Sequence, residues 1–211
     1  MRNILILTFL LLILGACTPS SSSFKSNSDS QPAVLEATRT VPDCGITPIK
    51  VPAKPKEIPT STQLDEATGL HVTGIAPEID FTGYRLAVSG LVEQPLSLQY
   101  DELRCLPKVT ADPLLVCRGF FEDQATWSGA PIAEILKLAK PLPQATTVAL
   151  ISADGFKKEI SLEDALNPKN FLAYEWEGQP LPILHGFPLR AVIPAEEGNF
   201  WVKWLVEINV N

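Results

Sequence analysis

Histidine is nearly missing from this chain: His71 and His185 are the only two in 211 residues, and more than a hundred positions separate them. No HExxH, CxxC, glycine-rich phosphate loop or GxSxG occurs, so zinc and serine-hydrolase chemistry have no local motif to rest on. Basic residues are outnumbered, 17 against 24 acidic, for a formal net charge of −7. No basic stripe forms, which removes the electrostatic basis for a nucleic-acid partner. Four cysteines, at 17, 44, 105 and 117, are too few for a disulfide scaffold of this size. The fold must therefore rest on a hydrophobic core, and the chain is long enough to build one as a single domain.

The apolar run from Ile4 to Leu14 is too short to span a bilayer and suits the h-region of a signal peptide. It ends in Leu14-Gly15-Ala16-Cys17, which resembles a bacterial lipobox with Cys17 as the acylated first residue of the mature protein. Cleavage there removes Arg2 alone among charged residues. The expected organisation is a signal peptide over 1–16, a lipid-anchored flexible linker over 17–63 and a folded body over 64–211. The linker carries "SSSS", "SNSDS" and the proline-rich "ITPIKVPAKPKEIPTS", compositions that cannot bury enough apolar area to fold alone. The expected location is the cell envelope, tethered to the membrane through the N-terminal lipid and facing the periplasm or exterior.

Within the body, Tyr84, Leu86 and Val88 alternate to one side of a predicted strand. Ser97 is a candidate N-cap for a short helix through Leu103, and "PLLVC" reads as a buried strand. Pro131 sits at a plausible N1 position, with Ile132, Ile135, Leu136 and Ala139 following at helical spacing. "TTVALISADG" and "FKKEIS" read as a hairpin, and Ser161 with Asp164 as the cap of a helix over Leu162 to Leu166. "FLAYEW", "LRAVIP" and "WVKWLVEINV" complete the strands, the last alternating Val202, Trp204, Val206, Ile208 and Val210. Strands interrupted by short helices make the class α+β, with mixed sheets.

Cys117 ends the apolar run and is followed by Arg118-Gly119. A cation beside it would favour the thiolate, the form that binds soft metals; a plain core thiol is the alternative. Asp154 stands in a turn, where an Asx-turn role competes with a role at a site. Cys44 and Cys105 can pair in an oxidising compartment, leaving Cys117 free, and a Cys105–Cys117 pairing is also open.

"GYRLAVSGLVEQPLSLQYDELRCLP", "LLVCRGFFEDQATWSGAPIAEIL", "ISADGFKKEISLEDAL", "FLAYEWEGQPLPILHGFPLRAVIP" and "WVKWLVEI" together resemble the molybdopterin-binding domain of sulfite-oxidase-like oxidoreductases. The resemblance implies a sulfite-oxidase-type fold of mixed β-sheets with short helices around a molybdenum–molybdopterin cofactor. It places the metal's cysteine ligand on Cys117 and a packing role on Trp127 and Gly129. Arg190, Gly198 and Lys203 fall at or near the pterin and its phosphate, with Arg118 and His185 as further candidates at the cofactor. Asp154 falls at a turn that abuts the site in relatives. His71 lies ahead of the matched blocks and is expected at the surface.

The implied activity is molybdopterin-dependent oxygen-atom transfer on a small oxyanion or sulfoxide, with electrons passed to a redox partner protein. A second expectation is a cofactor-free binding module that keeps the fold. It rests on Phe156 standing where many relatives carry tyrosine, and on a leader with one arginine rather than the pair that exports folded proteins.

Overall fold

The computed structural model describes residues 44–211; Cys17, the signal peptide and the first part of the expected linker lie outside the described residues. In chain order the elements begin with β1 (Leu64–Asp65), β2 (Leu70–His71), β3 (Arg85–Gly90), β4 (Leu96–Gln99), α1 (Tyr100–Arg104), β5 (Val109–Ala111) and β6 (Leu114–Cys117). There follow β7 (Phe121–Gln124), β8 (Trp127–Pro131), α2 (Ile132–Ala139), β9 (Thr147–Ser152), β10 (Lys157–Ser161) and α3 (Leu162–Leu166). The chain closes with β11 (Phe171–Trp176), β12 (Gln179–Pro180), β13 (Arg190–Val192) and β14 (Leu205–Val210). Single 3-10 turns stand at Ile183–His185 and Gly198–Phe200.

Two five-stranded sheets organise these elements. One runs β10-β9-β14-β3-β4, with β14 parallel to β3 and its other pairings antiparallel. The other runs β12-β11-β8-β5, with β13 also paired to β11. The hairpins β1–β2 and β6–β7 belong to neither sheet. This is the mixed-sheet α+β architecture expected from the alternating patterns.

Local physics explains most of these elements. Tyr84, Leu86 and Val88 are buried on one side of β3, the half-buried alternation that a period of two produces. Ile132, Ile135, Leu136 and Ala139 of α2 are fully buried, as their i, i+3, i+4, i+7 spacing requires. Ser161 Oγ accepts the Asp164 N–H at 2.9 Å and donates to the Asp164 carboxylate at 2.5 Å. Because α3 is so short, this cap carries much of its entry; Ser161→Ala is expected to cost about 1 kcal/mol in urea unfolding.

Gly129 is where two strands of the second sheet meet most closely. A Cβ there would lie 1.9 Å from the Leu172 carbonyl oxygen, so only glycine lets β8 and β11 approach. The neighbouring Trp127 is among the largest fully buried side chains, in keeping with the packing role implied for the pair.

Several boundaries differ from expectation. Ser97 lies within β4: Leu96 and Leu98 both point into the core, so the strand period runs on and the helix starts at Tyr100. There Glu102 Oε2 accepts the Gln99 N–H at 2.7 Å. Pro131 is the residue before α2 rather than its first. "PLLVC" forms half of a partly exposed hairpin, not a buried strand.

The last strand begins only at Leu205, because Trp204 has φ of +51° and breaks the extended run. Residues 201–204 instead form a connection that carries Lys203. Part of the expected linker runs along the body: Cys44 is disulfide-bonded to Cys105, the Thr47 carbonyl accepts from Arg104 Nη1 at 3.0 Å, and Ile49 packs on the core.

Candidate active site around Cys117

Cys117 is the free cysteine among the described residues. The Cys44–Cys105 bond resolves the pairing left open by the sequence, and the thiol is half-buried at the end of β6. Its environment comes from distant segments: the 3-10 turn at Gly198, the connection 201–204, β13 and the hairpin β1–β2. A Cβ on Gly198 would lie 2.6 Å from Cys117 Sγ, so glycine is what admits the backbone to the sulfur.

Arg190 is buried with its guanidinium 4.5 Å from the Trp127 ring centre and 5.7 Å from that of Trp201. Its Nη1 donates to the His185 carbonyl at 3.1 Å, while Nε has no hydrogen-bond partner. Burial pulls it down to about 10, against the pull of Asp123 and Cys117. Lys203 Nζ donates to the Thr73 carbonyl and, at 3.0 Å, to that of Leu184, and lies 4.4 Å from the Trp204 ring centre. Burial, and then the charge of Arg190, pull it down to about 7.

Neither cation forms a salt bridge among the described residues. Two cations drawn out of water side by side without a carboxylate are costly, and an anion between them relieves the cost.

His185 is buried, and its Nε2 stands 3.0 Å from Asp65 Oδ2 and 2.9 Å from Thr68 Oγ1. Burial drives its pKa down to about 4 despite the Asp65 carboxylate. Burial raises Asp65, but hydrogen bonds from His185 and Thr68 outweigh it and hold the acid below its usual range. The pair is therefore a neutral imidazole donating Nε2–H to a carboxylate. The two readings of His185, lining the cleft or serving a turn, both hold: it ends a 3-10 turn and lines the inner cavity.

Two adjoining cavities share Thr73, Cys117, Gly198, Trp201 and Lys203. The inner, of about 30 Å³, also meets His71, Asp123, His185 and Arg190. The outer, of about 260 Å³, reaches Ser152, Asp154 and Phe156. Asp154 is thus at the site and also makes the expected turn, its Oδ1 accepting the Phe156 N–H at 2.9 Å. A larger cavity of about 580 Å³ lies between residues 47–53 and Tyr100, Arg104 and Gln179, but neither the free thiol nor the unpaired cations line it.

Three expectations need correcting. Arg118 does not reach either cavity: it is exposed, with Nε 3.0 Å from Glu197 Oε1. The Cys117 thiol is accordingly not drawn down by that neighbour; burial and then Asp123 push it up, with Arg190 and Lys203 opposing. His71 is not a free surface residue. Its Nδ1 lies 2.6 Å from Asp123 Oδ1, its ring stacks on Phe121 at 4.5 Å, and it lines the inner cavity. No local pattern signals this, since its partner is 52 positions away.

The donor set fits an anionic group that carries a soft metal. A free thiol can ligate such a metal, two cations without a carboxylate partner and an unpartnered Nε–H can hold an anion, and glycine clears the approach to sulfur.

A cysteine-centred cleft on a sulfite-oxidase-type fold of mixed sheets defines the class of protein. The chain belongs to the oxidoreductase molybdopterin binding domain family, whose sequence model matches residues 73–211. It is 33% identical over 175 residues to sulfite oxidase of Arabidopsis thaliana, covering 65% of this chain and 44% of that protein. It is 32% identical over 139 residues to the uncharacterized oxidoreductase YuiH of Bacillus subtilis, covering 64% of this chain and 69% of that one. The sulfane dehydrogenase SoxCD of Paracoccus pantotrophus superposes with a TM-score of 0.60 at 26% identity, covering 64% of this chain and 40% of that chain. The chain spans only 20% of the NADH nitrate reductase of Ulva prolifera, to which it is 29% identical, so it corresponds to part of the larger relatives.

Proposed function

We propose that this chain is a molybdopterin-dependent oxidoreductase that transfers an oxygen atom to or from a small oxyanion or sulfoxide, tethered at the cell envelope through Cys17. The observation that carries the reading is the placement of free Cys117 beside Arg190 and Lys203, two cations without a carboxylate partner. Cys117 would ligate the metal, and Arg190 and Lys203 would hold the anionic end of the cofactor, Arg190 through its unpartnered Nε–H. When bound, the cofactor supplies two-electron oxygen-atom chemistry.

The protein's own part is binding and access. Gly198 keeps the backbone clear of the sulfur, and Trp127 and Trp201 shield the guanidinium from water. Asp154 and Phe156, at the outer cavity, shape the approach of a small substrate. A separate protein would take the electrons. Full-length protein purified from its native host is expected to carry about one molybdenum per chain by elemental analysis, and Cys117→Ser to lose it while remaining folded.

The cofactor-free binding module is favoured by one observation: Lys203 and His185 already have partners in or just after the hairpin β1–β2, Thr73 for the lysine and Asp65 and Thr68 for the histidine. It predicts metal-free protein whose unfolding is barely altered by Cys117→Ser. Stoichiometric molybdenum in the wild type rejects this second reading; its absence rejects the first.

A further inference from the structure

We propose that His71 is a binding residue of this site, fixed by Asp123 with its proton on Nδ1 so that Nε2 accepts a hydrogen bond from an N–H of the bound pterin heterocycle. The proposal rests on the functional reading above and adds a residue that precedes the family match at 73–211.

An ionised carboxylate only accepts, so the 2.6 Å contact between Asp123 Oδ1 and His71 Nδ1 places the proton on Nδ1. The other carboxylate oxygen accepts the His71 backbone N–H at 2.9 Å, so one buried acid fixes both the backbone and the ring of a single residue. Phe121, paired with Cys117 across β6–β7, stacks on the imidazole at an interplanar angle of 12°. Ring position, plane and tautomer are all determined, as they are for imidazoles held ready for a ligand.

Nε2 has no hydrogen-bond partner among the described residues, and the ring lines the cavity that Cys117, Arg190 and Lys203 line. Among the other charged and imidazole side chains there, the chemistry is one-sided. Arg190 and Lys203 offer only donors, His185 spends its Nε2–H on Asp65, and both oxygens of Asp123 are taken by His71. An anion is recognised by donors, but the edge of a pterin carries N–H groups that need an acceptor. His71 Nε2 meets that need, so it reads the heterocycle rather than the charge.

The test uses full-length protein produced in a host that makes the cofactor. His71→Phe keeps a ring to stack on Phe121 but removes both nitrogens. Asp123→Asn keeps the shape and turns an N–H toward Nδ1, which moves the imidazole proton to Nε2 and replaces the acceptor with a donor. Each variant is expected to retain pterin about tenfold less well per folded chain, measured as fluorescence of the released, oxidised pterin. The gap in unfolding midpoint between loaded and cofactor-free protein should narrow accordingly; a purely structural role would leave that gap unchanged.

Where His71→Phe does not fold, Asp123→Asn decides alone. Wild-type pterin retention in a folded variant overturns the role of His71 while leaving the oxidoreductase reading intact. Wild-type protein that holds no pterin overturns both.

Discussion

Acidification from about pH 7 to about pH 4 is expected to remove roughly 3 kcal/mol of folding stability through His185 alone. The side chain is 2% exposed and burial depresses its pKa to about 4, from an ordinary value of 6.5. Above 6.5 the imidazole is neutral in both folded and unfolded chains, and the full stability is present. Between 6.5 and 4 the unfolded chain takes up a proton that the folded one refuses, so stability falls with pH across that window and levels off below it. Asp65 acts in the same direction at lower pH, because its acid is held below the ordinary value of 3.8 while it accepts from His185 and Thr68. Typical domains have only 5–15 kcal/mol in total, which makes this one residue a large share. Urea unfolding of wild type and His185→Gln across the window measures it, since glutamine can still donate to Asp65 but does not titrate. Parallel pH dependence in the two proteins would refute the assignment to His185.

The same residue shows how far the sequence could be read. The strand β3, the buried face of α2 and the Ser161 cap were all visible, because each is set by neighbours within one or two turns of chain. Cys117 stood out locally, but with a core thiol as the alternative, and Arg190 and Lys203 were reachable only through resemblance; nothing in the periodicity of 190–210 separates a cavity residue from a strand residue. The alternation through Val202 and Trp204 in fact pointed the wrong way. It stops at Trp204 because that residue adopts a left-handed backbone and a bulge shifts the β14–β9 register between Leu205 and Glu207.

The hairpin was harder still. Asp65 and His71 sit in very short strands with Thr68 in the turn between them; Asp65 reaches His185, 120 positions away, and His71 reaches Asp123, 52 positions away. A hydrogen bond across that distance leaves no trace in a local pattern. Arg118 is the converse case: its position next to Cys117 in sequence was taken for proximity in space, yet the turn after β6 carries it outward to Glu197.

These long-range contacts tie the hairpin to the cavity around Cys117. The hairpin supplies a carboxylate to His185 and an imidazole to the cavity wall, and Thr73 just after it a carbonyl to Lys203, but this segment supplies no carboxylate to either cation. The charge of Arg190 therefore stays unbalanced, and a structure selected for stability alone would not keep it.

Arg190→Met is accordingly expected to make the cofactor-free protein more stable, by about 1–3 kcal/mol, while weakening its hold on the anionic cofactor at least a hundredfold. The substitution removes a buried charge and the orphaned Nε–H, and a methionine stem can fill the space between Trp127 and Trp201. It also forfeits one hydrogen bond to the His185 carbonyl and the two ring contacts, together about 2–3 kcal/mol. The effective cost of an unpaired buried ion, several kcal/mol, exceeds that loss. Arg190→Lys is the companion: it keeps the charge, loses the fork, and should be neither stabilised nor able to replace the guanidinium at a phosphate. Chemical unfolding of metal-free protein gives the first quantity, and molybdenum and pterin content after purification from a cofactor-making host gives the second. An Arg190→Met protein that is less stable than wild type yet fully loaded would mean that the guanidinium is there for the core and not for an anion.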